Sequence, residues 1–125
     1  MTSRGICVVI EDDADIRDLI TLILTGEGFE VHGEETGSGG LLAVTKLRPA
    51  LITLDLGLPD MDGRDVAQRL REVSMAPIVM ITAFAEREDE LQGMAAGATA
   101  YLIKPFRPSQ LRSIVQELCP QRLPS

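Results

Sequence analysis

Two short apolar segments of the chain end in carboxylate side chains. The run Ile6–Ile10 is followed at once by Glu11-Asp12-Asp13, and Asp55 interrupts the apolar run Leu51–Leu56. A charged group that is buried without a partner is costly. Acids at the ends of buried strands therefore predict that a cation is bound beside them.

The size and charge of the chain limit its function. With 125 residues, 45% hydrophobic and 25% charged, it has the size of one domain. The net charge of −7 argues against direct contact with nucleic acid, because such surfaces usually carry a basic excess. We expect no contact with a membrane, since no apolar run approaches the ~18 residues of a span, and Met1–Gly5 lead directly into a strand without a signal peptide. Cys7 and Cys119 have no recognisable spacing and are not expected to form a disulfide, which fits a reducing, cytoplasmic setting.

Strand-like and helix-like segments alternate along the chain. Five apolar runs are predicted as strands: Ile6–Ile10, Phe29–His32, Leu51–Leu56, Ile78–Ile81 and Ala100–Ile103. Apolar residues with a 3.6-residue period predict five helices: Asp15–Leu24, Gly40–Leu47, Asp65–Val73, Glu88–Ala96 and Ser109–Leu118. This alternation predicts an α/β domain in which helices cover both faces of a parallel sheet. The nearly continuous apolar strands agree, because strands covered on both faces lose their polar alternation.

Polar side chains follow or end four of the predicted strands. Glu11 and Asp12 follow the first strand, Asp55 lies at the end of the third, and Thr82 and Lys104 follow the fourth and fifth. Since ligands of open α/β sheets bind beyond the carboxyl ends of the strands, we expect these groups to share one cleft. Carboxylate oxygens without His or Cys favour a hard ion, Mg²⁺, which also binds phosphate oxygens.

This set of side chains suits phosphoryl transfer. Asp55 is the candidate nucleophile, since aspartyl phosphates are a known type of covalent intermediate. Lys104 offers a mobile positive charge to a phosphoryl oxygen, and Thr82 offers a hydrogen bond. With Mg²⁺, these groups would stabilise the charge on the transferring group, which is most of what such catalysis requires.

The chain resembles the receiver (CheY-like) domain of two-component response regulators over nearly its whole length. The matching segments are Val8–Arg17, Leu54–Gly63, Ile81–Ala83 and Gly97–Phe106, and their order and spacing are together highly specific. The resemblance implies a flavodoxin-like (βα)5 three-layer sandwich with a five-stranded parallel sheet in the order 2-1-3-4-5. It places the receiver domain at residues 4–119, with a tail or the start of a linker at residues 120–125.

The resemblance also implies roles for the residues of the cleft. Asp55 matches the phosphoacceptor, and Lys104 matches the lysine that binds phosphate. Thr82 matches the switch hydroxyl that moves toward the phosphoryl group. Glu11 and Asp12 match the acidic pair at the metal, with Asp12 the more direct ligand.

Three further positions match the family pattern. Asp55 shares the metal with the acidic pair, and the backbone carbonyl of Gly57 completes its ligand shell. Tyr101 matches the aromatic residue that turns inward after the switch hydroxyl has moved. The peptide bond between Lys104 and Pro105 is cis in this family.

The function that the resemblance implies is signalling. The domain would accept a phosphoryl group on Asp55 from a sensor histidine kinase or a phosphotransfer protein, and would take part in its own Mg²⁺-dependent phosphorylation and dephosphorylation without being an enzyme. The phosphorylated form would control an output partner or an effector domain, with DNA-binding transcription regulation as one such output. The face of the fourth helix, fifth strand and fifth helix would change, and a homodimer could form through it.

Some positions depart from the pattern of winged-helix DNA-binding regulators. Thr99 and Ala100 replace the two acids that often precede the aromatic residue, and Ile114 occupies the place of an arginine that supports charge-paired dimers. The remaining acids near the site, Asp13, Asp15, Asp60 and Asp62, are interpreted as loop and helix-cap residues.

Three other classes of protein share parts of this pattern. A phosphorylation-independent, receiver-like scaffold would need a broken cleft. A phosphatase of the haloacid dehalogenase type requires a second acid two residues after the nucleophile, where this chain has Gly57. A flavodoxin-type FMN protein requires a Ser/Thr/Gly-rich loop after the first strand, where Glu11-Asp12-Asp13 would repel a phosphate unless a metal intervened.

Overall fold

The computed structural model describes residues 4–120, so the predicted tail at 120–125 lies outside this range except for Pro120. Five strands alternate with five helices: β1 (Ile6–Ile10), α1 (Ala14–Gly26), β2 (Glu30–Glu34), α2 (Gly37–Leu47), β3 (Leu51–Leu54), α3 (Gly63–Val73), β4 (Ile78–Thr82), α4 (Arg87–Ala96), β5 (Ala100–Ile103) and α5 (Pro108–Leu118). All neighbouring strands are parallel, and the order β2-β1-β3-β4-β5 confirms the predicted flavodoxin-like topology. In the described part of the chain, no helix is long and apolar enough to cross a membrane.

The two faces of the sheet bury separate apolar clusters. Val8 and Ile10 of β1 pack with buried residues of α2, α3 and α4, whereas Cys7 and Val9 pack with those of α1 and α5. This division follows from the strand geometry, since successive side chains point to opposite faces. The result is a three-layer sandwich in which the central strands are buried on both sides.

Three strands differ from their predicted bounds, and β4 does so by one residue, since it runs on to Thr82. The prediction extended β3 through Leu56, but the strand ends at Leu54 and the chain turns, with the Gly63 N–H donating to the Leu56 carbonyl at 3.0 Å. The prediction began β2 at Phe29, but the Phe29 N–H donates to Leu24 at the end of α1. At its other end β2 runs on to Glu34, whose carbonyl accepts from the Glu11 N–H at 2.9 Å.

Acidic side chains start two of the helices, in agreement with their interpretation as caps. Asp13 Oδ1 accepts from the Ile16 N–H at 3.0 Å at the start of α1, and Asp62 Oδ1 accepts from the Arg64 N–H at 2.8 Å at the start of α3. Such caps satisfy amide groups that have no partner within the helix. All five helices begin one to three residues earlier than the apolar periodicity predicted, because the first turn lies between the cap and the first core residue.

Gly40 allows α2 to approach β1 closely. A Cβ atom at this position would lie 2.7 Å from Cγ1 of Ile10, which is 1% exposed and has little room to move. Gly26, the last residue of α1, provides a contrast, because no described atom beyond its own neighbourhood would lie within 4 Å of an added Cβ.

We expect Gly40→Ala to lower the free energy of unfolding by about 1–3 kcal/mol, because the extra methyl group overpacks the α2–β1 contact. Gly26→Ala is the matched control and should leave that free energy unchanged or raise it by up to about 1 kcal/mol. Urea denaturation measures both values. Equal effects of the two substitutions would show that the contact with Ile10 does not limit the packing of α2.

Candidate functional site

The carboxyl ends of three strands bring three predicted residues into direct contact. The Lys104 Nζ atom, just after β5, lies 2.5 Å from Glu11 Oε1 and 3.2 Å from Asp55 Oδ2. Glu11 follows β1 and is 1% exposed, while Asp55 follows β3 and is 7% exposed. Two buried carboxylates therefore share one ammonium group.

Asp12 joins these two acids in a group suited to a metal ion. One carboxylate oxygen from each of Glu11, Asp12 and Asp55 lies within 4.8 Å of the others, and Asp12 is the exposed member. The donors are all oxygens, which fits a hard divalent cation such as Mg²⁺. Among the described residues, the three acids outnumber the ammonium group of Lys104 beside them, so a cation would relieve their repulsion.

Local backbone contacts hold Asp55 and Lys104 in place. The Asp55 N–H donates to the Ile10 carbonyl at 3.1 Å, and the Lys104 N–H donates to the Thr82 carbonyl at 2.8 Å, so both residues prolong the sheet contacts of their strands. The Gly57 N–H donates to Asp55 Oδ1 at 3.2 Å. The Lys104–Pro105 peptide bond is cis.

Glycine is required where α3 meets the loop that carries Asp55. A Cβ atom on Gly63 would overlap the backbone of Asp55 and Leu56. Gly57 also forms an isolated antiparallel bridge with Asp62. The loop from Asp55 to Gly63 is therefore folded tightly on itself.

Burial controls the protonation of Glu11. It raises the pKa of Glu11 to about 7, with a further increase from the charge of Asp55, although Lys104 and the Asp13 N–H oppose the shift. For Lys104, burial lowers the pKa, but the hydrogen bond to Glu11 and the charge of Asp55 outweigh it and leave the pKa above its ordinary value. The ammonium group is thus retained in the cleft.

The two predicted switch residues are hydrogen-bonded to the same residue, Phe84. Thr82, at the buried end of β4, accepts from the Phe84 N–H at 3.3 Å through its hydroxyl. The Tyr101 hydroxyl donates to the Phe84 carbonyl at 2.7 Å. Burial and the charges of Asp89 and Glu90 raise the pKa of Tyr101 to about 12, which keeps this donor protonated.

The ring of Phe84 extends toward the loop that follows the phosphoacceptor candidate. It is 45% exposed, and its Cζ atom lies 4.0 Å from the place of a Cβ atom on Gly57.

Of the residues predicted for the site, the structure brings Glu11, Asp12, Asp55 and Lys104 together at the cleft. Thr82 and Tyr101 make their hydrogen bonds to the β4–α4 loop beside it.

Two residues at the site make contacts that were not predicted: Arg17 was given no role, and Asp60 was interpreted only as a loop or helix-cap residue without an assigned partner. Arg17 Nη1 donates to the carbonyls of Glu11 and Asp12. Asp60 accepts from the Gly37 and Ser38 N–H groups at 2.8 and 3.0 Å, so it caps α2 from the loop after β3. These hydrogen bonds lower the pKa of Asp60. Arg17 and Glu11 are 6 residues apart, and Asp60 and Gly37 are 23 residues apart. Neither spacing belongs to a local helix or turn motif, so local patterns gave no signal for these contacts.

The positions that depart from the family pattern have defined surroundings. Thr99 accepts from the Ile78 N–H at 3.1 Å, and Ile114 packs half-buried against the core on the α1 and α5 side. Leu91 and Met94 of α4 are 58% and 41% exposed. Thr99 and Ile114 therefore have structural partners within the domain.

The sequence model of the response regulator receiver domain matches residues 7–116. This chain belongs to that family, which confirms the resemblance. Its members are signalling domains; response regulators receive phosphate from histidine kinases, and receiver domains generally use Mg²⁺ at an acidic pocket.

Named relatives and solved structures agree. The DNA-binding response regulator MtrA of Mycobacterium bovis is 44% identical over 110 residues, which are 88% of this chain and 48% of that protein. The chain thus spans about half the length of this relative. A CheY-like receiver domain protein from Methanospirillum hungatei superposes with a TM-score of 0.85 at 30% identity over 90% of each chain. The chemotaxis regulator CheY4 of Vibrio cholerae gives 0.86 at 30% identity, over 94% of this chain and 99% of that one.

The raised pKa of Glu11 has a consequence for stability without divalent cations. A carboxyl group with a higher pKa in the folded state gives a stabilisation that is complete below the ordinary value of 4.5 and is lost as the pH rises to about 7. We expect the wild type to lose roughly 1–3 kcal/mol of unfolding free energy over this range relative to Glu11→Gln. Urea denaturation across the range measures the difference.

Glu35→Gln is the control, since the Glu35 side chain is 73% exposed. It should leave the pH dependence of the wild type unchanged. If Glu11→Gln shows the same pH dependence as the wild type, Glu11 does not titrate in this range.

Proposed function

We propose that the domain accepts a phosphoryl group on Asp55 from a sensor histidine kinase or a phosphotransfer protein. The observation that supports this most directly is the Lys104 ammonium between the buried carboxylates of Glu11 and Asp55. Glu11, Asp12, Asp55 and the backbone carbonyl of Gly57 would hold Mg²⁺. When bound, the ion would offset the charge of the acids and of the phosphoryl oxygens.

In the proposed reaction an Asp55 carboxylate oxygen attacks phosphorus, and the bond from phosphorus to the donor imidazole nitrogen breaks. The donor imidazole, protonated on its other ring nitrogen, takes the electron pair of that bond and leaves as neutral imidazole, and Asp55 becomes an acyl phosphate. Lys104, which already contacts Asp55 Oδ2, would follow the new negative charge and pair with a phosphoryl oxygen. The Gly57 N–H holds the other carboxylate oxygen and so orients the nucleophile.

The same groups would support loss of the phosphoryl group to water. This hydrolysis returns the Asp55 carboxylate and releases inorganic phosphate, so the domain acts on itself and on no separate substrate. We therefore regard it as a phosphoacceptor that takes part in its own turnover.

Phosphorylation would shift the domain between two conformers. A Thr82 hydroxyl that moves to a phosphoryl oxygen gives up its bond to the Phe84 N–H. The Phe84 carbonyl is the acceptor for Tyr101, so the two switch residues would respond together. The face formed by α4, β5 and α5, which contains Tyr101, is where we place the change.

Control of transcription is the output that we propose, because the MtrA relatives are named DNA-binding response regulators. The net charge of −7 argues that this domain itself makes no direct contact with DNA. The rival function, a phosphorylation-independent scaffold, would need a broken cleft, whereas the acids and the lysine are in contact here.

The α4–β5–α5 face is also the surface that we propose for a homodimer. Thr99, Ala100 and Ile114 lack the charges of a salt-bridged interface, so the exposed side chains of Leu91 and Met94 would supply the contact. Apolar side chains at the centre of an interface contribute most when they are fully desolvated.

With Mg²⁺ and beryllofluoride, a phosphate mimic, we expect the wild type to dimerise and Leu91→Glu to remain monomeric, because the carboxylate cannot be desolvated there. Sedimentation velocity measures both states. Leu22→Glu on α1, a residue that is 71% exposed, should dimerise like the wild type. A wild type that stays monomeric, or a dimer lost only in Leu22→Glu, would contradict this interface.

The proposed phosphoacceptor is tested by intact mass after incubation with acetyl phosphate, with and without Mg²⁺. We expect one phosphoryl group on the wild type with Mg²⁺, and none on Asp55→Asn, since the amide is a poor nucleophile. Asp60→Asn, a change to a nearby loop acid, should still be labelled. Labelling of Asp55→Asn would place the acceptor elsewhere, and a wild type that neither labels nor binds beryllofluoride would favour the scaffold.

A further inference from the structure

We infer that Arg17 is a positioning residue for the metal site, acting through the backbone of the acidic pair. This inference rests on the proposed binding of Mg²⁺ by Glu11 and Asp12. It concerns a residue on α1 that touches neither the ion nor the phosphoryl group in the proposed reaction.

One residue holds three consecutive carbonyl groups of the β1–α1 loop. Arg17 Nη1 donates to the Glu11 carbonyl at 2.8 Å and reaches the Asp12 carbonyl at 3.4 Å. The Arg17 backbone N–H donates to the Asp13 carbonyl at 2.9 Å in the first turn of α1. The backbone from which both metal-binding carboxylates extend is therefore held against the helix.

The loop has few other means of keeping this shape. The Glu11 N–H is bonded to the Glu34 carbonyl, and the Asp13 N–H donates to Glu11 Oε2 at 3.1 Å. These bonds hold the donors of the loop, whereas Arg17 holds its acceptors. Removal of the guanidinium would leave the Glu11 and Asp12 carbonyls without that donor.

Packing, more than charge, keeps Arg17 in this position. The ion pair of Arg17 with Glu35 is weak support, since the contact from Nη2 to Glu35 Oε1 is 3.8 Å long and the Glu35 side chain is 73% exposed. The side-chain stem instead lies over Gly33 of β2, where a Cβ atom would lie 3.0 Å from Arg17 Cδ. A glycine at this position thus leaves room for the arginine to cross the strand end.

Mg²⁺, the ion proposed for this loop, tolerates little displacement of its ligands. Mg²⁺ requires near-ideal octahedral geometry, and residues that orient its ligands typically affect affinity by about 10–100-fold. A loop that loses two carbonyl contacts would present Asp12, the exposed ligand, in more than one orientation. Weaker Mg²⁺ binding with an intact phosphoacceptor is the expected result.

Arg4, which lies near the amino end of β1, provides a matched control. Arg4 also donates to two backbone carbonyls, those of Glu27 and Cys119, and also has a carboxylate neighbour, Glu27 Oε2 at 3.6 Å. It is likewise mostly buried, with 12% of its side chain exposed against 18% for Arg17. Loss of Arg4 should therefore reproduce the general cost of removing a buried arginine without any effect at the metal site.

The experiment is isothermal titration calorimetry of Mg²⁺ into the wild type, Arg17→Met, Arg17→Lys and Arg4→Met. We expect Arg17→Met to weaken Mg²⁺ binding by about tenfold or more. Arg17→Lys should be intermediate, because lysine keeps the charge but loses the planar fork. Arg4→Met should bind Mg²⁺ like the wild type, and at saturating Mg²⁺ Arg17→Met should still be labelled by acetyl phosphate.

Gly33→Ala is the second variant if Arg17→Met does not fold. It keeps the guanidinium but displaces the stem, so it should also weaken Mg²⁺ binding. Unchanged Mg²⁺ affinity in both variants, or equal losses in Arg17→Met and Arg4→Met, would overturn this inference. A wild type that binds no Mg²⁺ would instead refute the proposed function.

Discussion

The contact of the Lys104 ammonium with two buried carboxylates is the constraint on which the rest of the structure depends. Glu11, Asp55 and Lys104 come from three different strands, so they meet only if β1, β3, β4 and β5 are paired in the observed register. Removing one member of a buried ion pair leaves an uncompensated charge and is strongly destabilising. The order and register of the strands and the contact of Lys104 with the acids therefore depend on each other. A different register would separate the buried acids from Lys104.

Arginine side chains donate to carbonyl groups at both ends of the parallel strands. Arg17 binds carbonyls beyond the carboxyl end of β1, and Arg4 binds carbonyls near its amino end. On α3, Arg71 donates to the carbonyls of Gly97 and Ala76 at 3.1 and 2.7 Å. It thereby joins the α3–β4 loop to the α4–β5 loop. A guanidinium group suits this use because its planar donors can reach several acceptors at once. The backbone of several connections is thus held by arginine side chains from elsewhere in the chain.

The sequence pattern was sufficient for the alternating strands and helices, the parallel sheet and the strand-end residues of the cleft, whereas the strand order came from the resemblance to receiver domains. Buried parallel strands give continuous apolar runs, and the polar residue after each run marks the ligand-binding edge. The sequence could not show that β3 ends at Leu54, because Leu56 is as apolar and as buried as the strand itself. It also could not show the contacts of Arg17, Asp60 and Phe84. Charged residues of helix and loop look alike in a sequence whether they face solvent or a distant carbonyl, and backbone acceptors carry no sequence signal.

Because Asp60 caps α2, the loop after Asp55 and the first turn of α2 are expected to open together as one unit. The loop after Asp55 provides the acceptor for the amide hydrogens of Gly37 and Ser38, which lie more than twenty residues earlier in the chain. Those hydrogens are protected from exchange with solvent deuterium only while the loop is closed over the helix. Local opening of this kind exposes amides in cooperative groups. The exchange rates of Gly37 and Ser38 therefore report the motion of the Asp55 loop from a neighbouring helix, where a probe would not disturb the cleft.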